Sequence, residues 1–165
     1  MGARIAGVDY RQLQAAAKAG DREAKAQRQL GKVANLSLQY RTSPERLRSV
    51  ARVQYGLPME LEEAQRIHST YLDTYKGIPE YWSAQIQETI KNKYVETLAG
   101  RRVTVDGNWR GKSAWSMAST AINYRIQGTG ADQKYLALSV LKPYLTRYNA
   151  YFACDLHYGI YLYVP

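Results

Sequence analysis

The stretch from Arg22 to Tyr40, REAKAQRQLGKVANLSLQY, decides much of the fold. It is rich in Ala, Gln, Lys and Leu and contains no Pro, so the helix propensities of its residues predict one long helix. Four of its side chains follow one another at intervals of four residues: Arg28, Lys32, Leu36 and Tyr40. Because four residues advance a helix by about 400°, these side chains form one slowly drifting stripe, ordered cation, cation, apolar, aromatic.

Two interpretations of this stripe stay open on spacing alone. A ligand with phosphates at one end and a flat ring at the other would match it, because Arg28 and Lys32 would hold the phosphates. The ring would then lie near Leu36 and Tyr40. Alternatively, the stripe is a solvated basic face, and Tyr40 is an anchor in the core.

Further helices are predicted on both sides of this stretch. Gly20-Asp21 ends an alanine-rich helix over Gln12–Lys18, and Asp21 is placed to cap the long helix. Ser43-Pro44-Glu45 combines an N-cap, a Pro at the first helical position and an acid in the first turn, which predicts the next helix. Two more helices with apolar stripes follow, separated by a turn at Gly77-Ile78-Pro79: Leu61–Tyr75 and Glu80–Asn92.

The period of the apolar residues changes after residue 93. The elements predicted there are strands Tyr94–Leu98 and Arg101–Val105 around Gly100, helices Ser113–Tyr124 and Thr129–Tyr148, and a β-rich hairpin, Tyr151–Val164, with Gly159 near its middle. The predicted class is therefore α+β, mostly helical, with a small antiparallel sheet and a C-terminal β-hairpin.

Composition narrows the class of protein. The chain has 165 residues, which suits one compact domain, and its 23 basic and 14 acidic residues give a net charge of +9. Such a balance, with 15 Tyr, fits a polyanionic partner, although a positive surface also favours solubility alone. The single cysteine, Cys154, excludes an internal disulfide. No apolar run reaches the roughly 18 residues of a membrane helix, and MGARIAGVDY lacks an apolar signal core, so we expect a cytoplasmic protein.

The stretch Arg28–Tyr40 resembles the fingers-helix motif of family A DNA polymerases, the bacterial DNA polymerase I and phage type. Four more blocks resemble the family in the same order: PEYW at Pro79–Trp82, YVETLAGRR at Tyr94–Arg102, AINYRIQGTGAD at Ala121–Asp132, and HYG at His157–Gly159. Together they cover roughly residues 20 to 165. The resemblance implies a fingers-like helical region over residues 1–92 and a partial palm-like region over residues 93–165, in a bacterial or phage-infected cell.

The resemblance also implies a role for each member of the stripe. Arg28 and Lys32 would contact the triphosphate of an incoming deoxynucleotide. Leu36 would pack against its sugar, where the family has an aromatic ring, and Tyr40 would stack near the templating base. Arg41 replaces a family glycine, so we expect the helix end to differ.

Further residues are implied to contact a DNA primer–template. Asn123 and Gln127 would meet the duplex from the minor-groove side, where readout is largely independent of sequence. His157 would approach the primer end. Arg101 and Arg102 would bind DNA from within their block.

This sequence differs most from the family at the positions of the family's metal-binding residues. Family A polymerases use Mg²⁺ held by two aspartates, and Tyr158 stands where the hairpin aspartate is expected. A phenol with a pKa near ~10 stays neutral and cannot replace a carboxylate. Asp155 lies three positions away, on the opposite strand face. Asp9 resembles the other aspartate, but only eighteen residues separate it from Arg28, so we interpret Asp9 as part of a loop before the fingers helix.

These features predict a DNA-binding fragment of a family A polymerase that holds no metal or other cofactor by itself and is inactive alone. Three alternatives stay open. The chain is a repurposed module that binds DNA or a replication protein without chemistry, one chain of a split polymerase, or a decaying gene fragment. A protein partner, or self-association through exposed palm surface, is compatible with each of the first two.

Overall fold

The computed structural model describes residues 1–156 and 159–165, and confirms the predicted α+β class, mostly helical. Its elements, in chain order, are helices α1 (Gly2–Ala6), α2 (Tyr10–Lys18), α3 (Arg22–Leu38), α4 (Pro44–Tyr55), α5 (Leu61–Thr74) and α6 (Gly77–Asn92), strands β1 (Tyr94–Glu96) and β2 (Arg102–Thr104), helix α7 (Gly111–Arg147), and strands β3 (Tyr151–Leu156) and β4 (Gly159–Tyr163). The chain divides into two compact units, Met1–Ala84 and Gln85–Pro165. The functional boundary expected after residue 92 stays a prediction.

The first unit is a helical cluster whose helices begin where the sequence predicts. The Asp21 carboxylate accepts a hydrogen bond from the Ala24 amide at 2.7 Å, which caps α3. Ser43 caps α4 in the same way, with Pro44 at the first helical position. The fully buried side chains of its core include Val33, Leu38, Leu47 and Ile67.

Helix α1 lies directly on the backbone of α3 at two glycines. A Cβ at Gly31 would lie 2.3 Å from the backbone nitrogen of Gly2, and a Cβ at Gly2 would lie 2.7 Å from the Gln27 carbonyl oxygen. The Arg66 side chain adds a hydrogen bond of 3.1 Å to the Ile5 carbonyl at the end of α1. Only glycine permits this approach, because any larger residue would separate the two helices.

The second unit combines α7 with two antiparallel hairpins. In the first, Val95 pairs with Val103, and Val95 is buried. In the second, β3 and β4 pair with an irregularity between Phe152 and Cys154. The small sheet and the C-terminal hairpin are thus confirmed, each as a separate two-stranded sheet.

The prediction of two helices over residues 113–148 was wrong, because α7 runs unbroken for 37 residues. Gly128 does not end a helix. Its hydrogen faces Thr97, where a Cβ would lie 2.7 Å from the threonine methyl, so the glycine serves a close contact. The Thr129 hydroxyl donates to the Arg125 carbonyl at 2.5 Å and therefore stays within the helix. Despite the length of α7, none of the helices within the described residues is both long and apolar enough to cross a membrane.

Helix α6 begins three residues earlier than predicted. The sequence suggested a turn at Gly77-Ile78-Pro79 and a helix from Glu80, whereas α6 starts at Gly77. Pro79 is accommodated because the amides of the first helical turn have no acceptor within the helix. A proline in this turn therefore removes no helical hydrogen bond.

Candidate nucleic-acid interface

The stripe on α3 faces solvent, opposite the buried side of the helix. Arg28, Lys32 and Leu36 are exposed, the last with 48% of its surface accessible. By contrast, Val33 and Leu38 on the same helix are fully buried. The helical period thus separates the three exposed members of the stripe from the core.

Tyr40, the fourth member, lies beyond the end of α3, which ends at Leu38. It is half-buried in a turn that is fixed from two sides. The Trp82 indole donates to the Gln39 carbonyl at 2.9 Å, and the Thr42 hydroxyl donates to the Ser37 carbonyl at 2.7 Å. These bonds satisfy carbonyls that the helix end leaves open.

Arg41 follows in this turn with φ of 62°, the left-handed conformation that favours glycine. The sequence led us to expect a different helix end where an arginine replaces the family glycine. The backbone of Arg41 adopts a conformation typical of glycine in spite of the arginine side chain, and the difference from the family's helix end stays a prediction. This position is therefore strained.

The two cations of the stripe border an open surface cavity of about 550 Å³, lined by Lys25, Arg28, Gln29 and Lys32. In the part of the chain that the structure describes, no carboxylate lies within ion-pair distance of Arg28 or Lys32. Cations that no acid neutralises raise the local positive potential. This surface can therefore attract an anionic ligand such as a phosphate.

Arg101, in the turn between β1 and β2, differs from Arg28 and Lys32 because its side chain bonds to other residues of the chain. Its guanidinium donates from Nε to Asp132 at 2.7 Å, from Nη1 to the Tyr124 hydroxyl at 2.9 Å, and from Nη2 to the Gly128 carbonyl at 3.0 Å. The group also lies 5.3 Å from the centre of the Tyr124 ring. We refer to Arg101 with Tyr124, Gly128 and Asp132 as the Arg101 latch.

The turn around Arg101 adds bonds of its own to this latch. The Leu98 amide donates to the Thr129 hydroxyl at 3.0 Å, and the Arg101 amide donates to the Thr97 hydroxyl at 3.1 Å. A hydrogen bond from Thr97, and then that from Arg101, lowers the pKa of Asp132 below its ordinary value. The Asp132 carboxylate thus stays ionised at neutral pH and is enclosed, with 13% of its side chain exposed.

Arg102 is also engaged within its own hairpin. It forms an ion pair with Glu96 on the neighbouring strand and lies 4.4 Å from the centre of the Tyr94 ring. The hydrogen bond that Arg102 donates to Glu96 raises the pKa of the guanidinium. Both arginines of this block therefore have partners inside the second unit.

Asn123 and Gln127 lie one turn apart on α7. Gln127 is exposed and Asn123 is half-buried. The Asn123 Oδ1 is buried and has no hydrogen-bond partner among the residues that the structure describes. A buried acceptor without a partner is uncommon in folded proteins and can be satisfied by a ligand.

The two aspartates that the sequence places nearest to the family's metal-binding positions, Asp155 and Asp9, have other partners in the structure. Asp155 pairs with Lys134 of α7, and this pair lowers the pKa of Asp155 and raises that of Lys134. Asp9 is the N-cap of α2, where it accepts from the Arg11 and Gln12 amides at 2.9 and 3.1 Å. Within residues 1–156 and 159–165, no group of three His, Cys, Asp or Glu side chains could hold a metal ion.

The described side chains therefore do not fit a centre for two magnesium ions, and we derive no catalytic step through one. The predicted roles of His157 and Tyr158 lie outside the described residues, so both stay predictions.

Sequence analysis missed the latch, although the sequence carries a signal for it. Tyr124, Gly128 and Asp132 are spaced by four residues, the spacing of one helix face. Dividing α7 into two predicted helices placed Tyr124 and Asp132 on different elements. An unbroken helix would have aligned them opposite the Thr97–Arg101 turn.

Comparison with known proteins identifies the family of this chain. The family described as DNA polymerase family A matches residues 10–165. The chain belongs to DNA polymerase family A. Its blocks from the fingers-helix motif onward therefore lie within a family A sequence, as the resemblance implied.

Curated relatives agree with this assignment to family A. The chain is 33% identical to DNA polymerase I of Aquifex aeolicus over 138 residues, which are 80% of this chain and 22% of that protein. It is 32% identical to the thermostable DNA polymerase I of Thermus thermophilus, over 84% of this chain and 16% of that protein. A DNA polymerase of Mycobacterium phage L5 is 26% identical, over 92% of this chain and 22% of that protein. The chain thus spans about a fifth of the length of these relatives.

A solved structure has the same fold. The POL domain of Pol1 from M. smegmatis, in complex with DNA primer-template and dNTP, superposes with a TM-score of 0.76. The match covers 99% of this chain and 27% of that one, at 20% identity. The architecture of this chain is therefore that of part of a family A polymerase domain.

Proposed function

We propose that this chain binds a deoxynucleoside triphosphate and a primer–template as part of a family A DNA polymerase. The observation that carries the proposal is the pair of unneutralised cations, Arg28 and Lys32, beside the open cavity on α3. Arg and Lys differ in how they hold phosphates, because Arg offers a planar fork and Lys a compact charge. Spaced by one helical turn, they can engage neighbouring phosphates of one triphosphate.

The remaining stripe members complete this nucleotide surface. Leu36 lies one helical turn beyond Lys32 and is exposed, so it can contact the sugar. Tyr40 is held in the adjoining turn and can lie against a base. The solved polymerase domain with the same fold was captured with primer-template and dNTP, which supports this class of ligand.

We assign the duplex contacts to α7. The Asn123 side chain carries a buried acceptor without a described partner, and Gln127 is exposed one turn away. The NH₂ group of either amide can donate to the acceptors that every base pair presents in the minor groove, and the amide oxygen can accept from the amino group of guanine. This mode of binding depends little on sequence, as a polymerase requires.

We further propose that this chain binds without transferring a phosphoryl group on its own. Two-metal catalysis needs carboxylates that clamp both ions. Asp155 is paired with Lys134, Asp132 with Arg101, and Tyr158 occupies the sequence position of the family's aspartate. Both aspartates are thus paired with the chain's own cations.

The test compares Arg28→Ala/Lys32→Ala with Arg11→Ala/Lys18→Ala. The control removes the same charge from exposed positions of α2 in the same unit. Binding of a fluorescent deoxynucleoside triphosphate is titrated for each protein, with thermal melts to confirm folding. Since charged hydrogen bonds contribute about 1.5–3 kcal/mol each, the two together contribute at least about 3 kcal/mol, and we expect the first variant to lose about 100-fold or more in affinity. We expect the control to lose little.

An equal loss in both double variants would reject the assignment to α3. Primer extension with magnesium or manganese tests the chemistry separately. Template-directed extension by the pure chain would reject the non-catalytic part of the proposal. A folded chain that binds neither triphosphate nor duplex would instead favour a module that binds a replication protein.

A further inference from the structure

Three donor atoms of the Arg101 guanidinium are engaged inside the protein. They bond to Asp132, Tyr124 and Gly128, which stand at intervals of four residues along one face of α7. The guanidinium therefore spans two turns of this helix. A phosphate ligand would compete with these bonds and with the Asp132 charge.

The turn that carries Arg101 is closed by backbone hydrogen bonds of its own. The Thr97 amide donates to the Arg101 carbonyl at 2.9 Å, and Gly100 supplies the positive φ, 88°, that the turn requires. Thr97 is almost fully buried and its methyl fills the space that Gly128 leaves open. The backbone around Arg101 is thus packed against α7, and the three bonds of its side chain fit one placement of the helix.

The latch residues adjoin the residues assigned to the duplex. Tyr124 follows Asn123, and Gly128 follows Gln127. Successive residues of a helix differ by about 100° in direction, so fixing one face of α7 fixes the direction of the other. A helix rotated about its axis would turn both amides away from their contacts together.

We propose that Arg101 is a positioning residue for primer–template binding: through Tyr124, Gly128 and Asp132 it sets the rotation of α7 and thereby directs Asn123 and Gln127 into the minor groove. The inference rests on the proposed DNA-binding function. It differs from the direct DNA contact that the family resemblance implied for Arg101, because the guanidinium acts through the helix.

Salt dependence separates the two roles. A residue that contacts a phosphate contributes about one unit to the slope of log affinity against log salt concentration. A positioning residue contributes nothing to that slope. A second readout is coupling, because a residue that acts only through Asn123 and Gln127 has no further effect once they are gone.

The experiment measures anisotropy of a labelled primer–template at several salt concentrations. We compare the wild type, Arg101→Gln, Asn123→Ala/Gln127→Ala and the triple variant. Lys142→Gln is the matched control, since it removes one charge from an exposed position of α7 away from the latch. We expect Arg101→Gln to weaken binding about tenfold with an unchanged salt slope, and to add no loss to the double variant. Lys142→Gln should not show this coupling.

Tyr124→Phe keeps the inference testable if Arg101→Gln does not fold. It deletes a single hydrogen bond of the latch, so we expect a loss of about threefold with an unchanged slope. A slope reduced by about one unit, with losses that add to those of the double variant, would overturn the positioning role. Absence of duplex binding by the folded wild type would reject the proposed function itself, and the inference with it.

Discussion

The two units of this chain use arginine in opposite ways. Arg28 in the first unit is exposed beside an open cavity and has no carboxylate partner among the described residues. Arg101 in the second unit has three side-chain bonds to one helix. Both belong to sequence blocks that resemble the same family. A motif therefore places a cation, but the presence or absence of an internal partner decides whether that cation serves a ligand or the fold.

The largest expected effect concerns the glycine at which each unit packs a helix closely, Gly31 in the first unit and Gly128 in the second. Gly31→Ala pushes a methyl against the Gly2 backbone, whereas Gly128→Ala meets a threonine side chain. Overpacking costs about 1–3 kcal/mol, and Ala regains about 1 kcal/mol of helix propensity. We expect Gly31→Ala to destabilise the fold by about 2 kcal/mol and Gly128→Ala by about 1 kcal/mol, measured by urea unfolding.

Gly77→Ala is the matched control for both, because a Cβ at Gly77 would meet nothing within 4 Å. Because alanine is also the better helix former, we expect this variant to be as stable as the wild type or more stable by up to about 1 kcal/mol. If Gly31→Ala were equally stable, the close contact between α1 and α3 would be wrong.

A second prediction adds a carboxylate beside a cation of the stripe, as Asp132 stands beside Arg101 in the latch. Leu36→Glu places a carboxylate one turn from Lys32 on an exposed face. It neutralises the cation and repels phosphates, so we expect the triphosphate affinity to fall about tenfold, or about 1.4 kcal/mol. Leu36→Gln removes the leucine without adding charge and should lose less than threefold. Equal losses in the two variants would show that charge at this position is irrelevant.

A third prediction concerns the Arg101 latch at low pH, where protonation of Asp132 removes its charge beside Arg101. Hydrogen bonds from Thr97 and Arg101 lower the pKa of Asp132 in the folded chain, from an ordinary value of 3.8. Its contribution to stability is therefore present above that value and is lost as the pH falls through the folded-state pKa. We expect Asp132→Asn to flatten the acid limb of the melting temperature against pH.

The Lys134–Asp155 pair contributes to the same acid limb, because the pKa of Asp155 is also lowered. Asp155→Asn should remove a further part of it. An Asp132→Asn profile parallel to that of the wild type would mean that the latch does not stabilise the fold through this carboxylate.

The smallest expected effect lies in the turn after α3. Arg41→Gly relieves a left-handed conformation that costs an arginine about 1–2 kcal/mol, but glycine adds entropy to the unfolded chain. We expect a net stabilisation of about 0.5 kcal/mol relative to Arg41→Ala, which removes the same charge and keeps the strain. Equal urea midpoints for Arg41→Gly and Arg41→Ala would contradict the expected stabilisation.

The sequence predicted local structure well where local signals are strong. The starts of α3 and α4 follow from Asp21 and Ser43-Pro44, whose side chains and ring act on adjacent backbone. The two hairpins follow from alternation and turn residues. The stripe follows from helical periodicity. The helix ends at Leu38, before Tyr40, in a turn that is held partly by the tertiary bond from Trp82 to Gln39.

What the sequence could not reveal depends on contacts between distant residues. Gly128 predicts a helix break by its propensity, yet its role is to admit Thr97, 31 positions earlier. Arg101 carries no sign in the sequence of whether it binds DNA or Asp132. Local patterns describe a residue's preferences, whereas the partner across the fold selects among them.

The shortness of β1 and β2 has a consequence for local opening. Strands of three residues are too short to persist alone, so this pair depends on its attachment to α7. Its amide protons therefore exchange with solvent at a rate set by how often the turn leaves the helix. Hydrogen exchange in this small hairpin becomes a direct reading of the free energy that holds Arg101 in place.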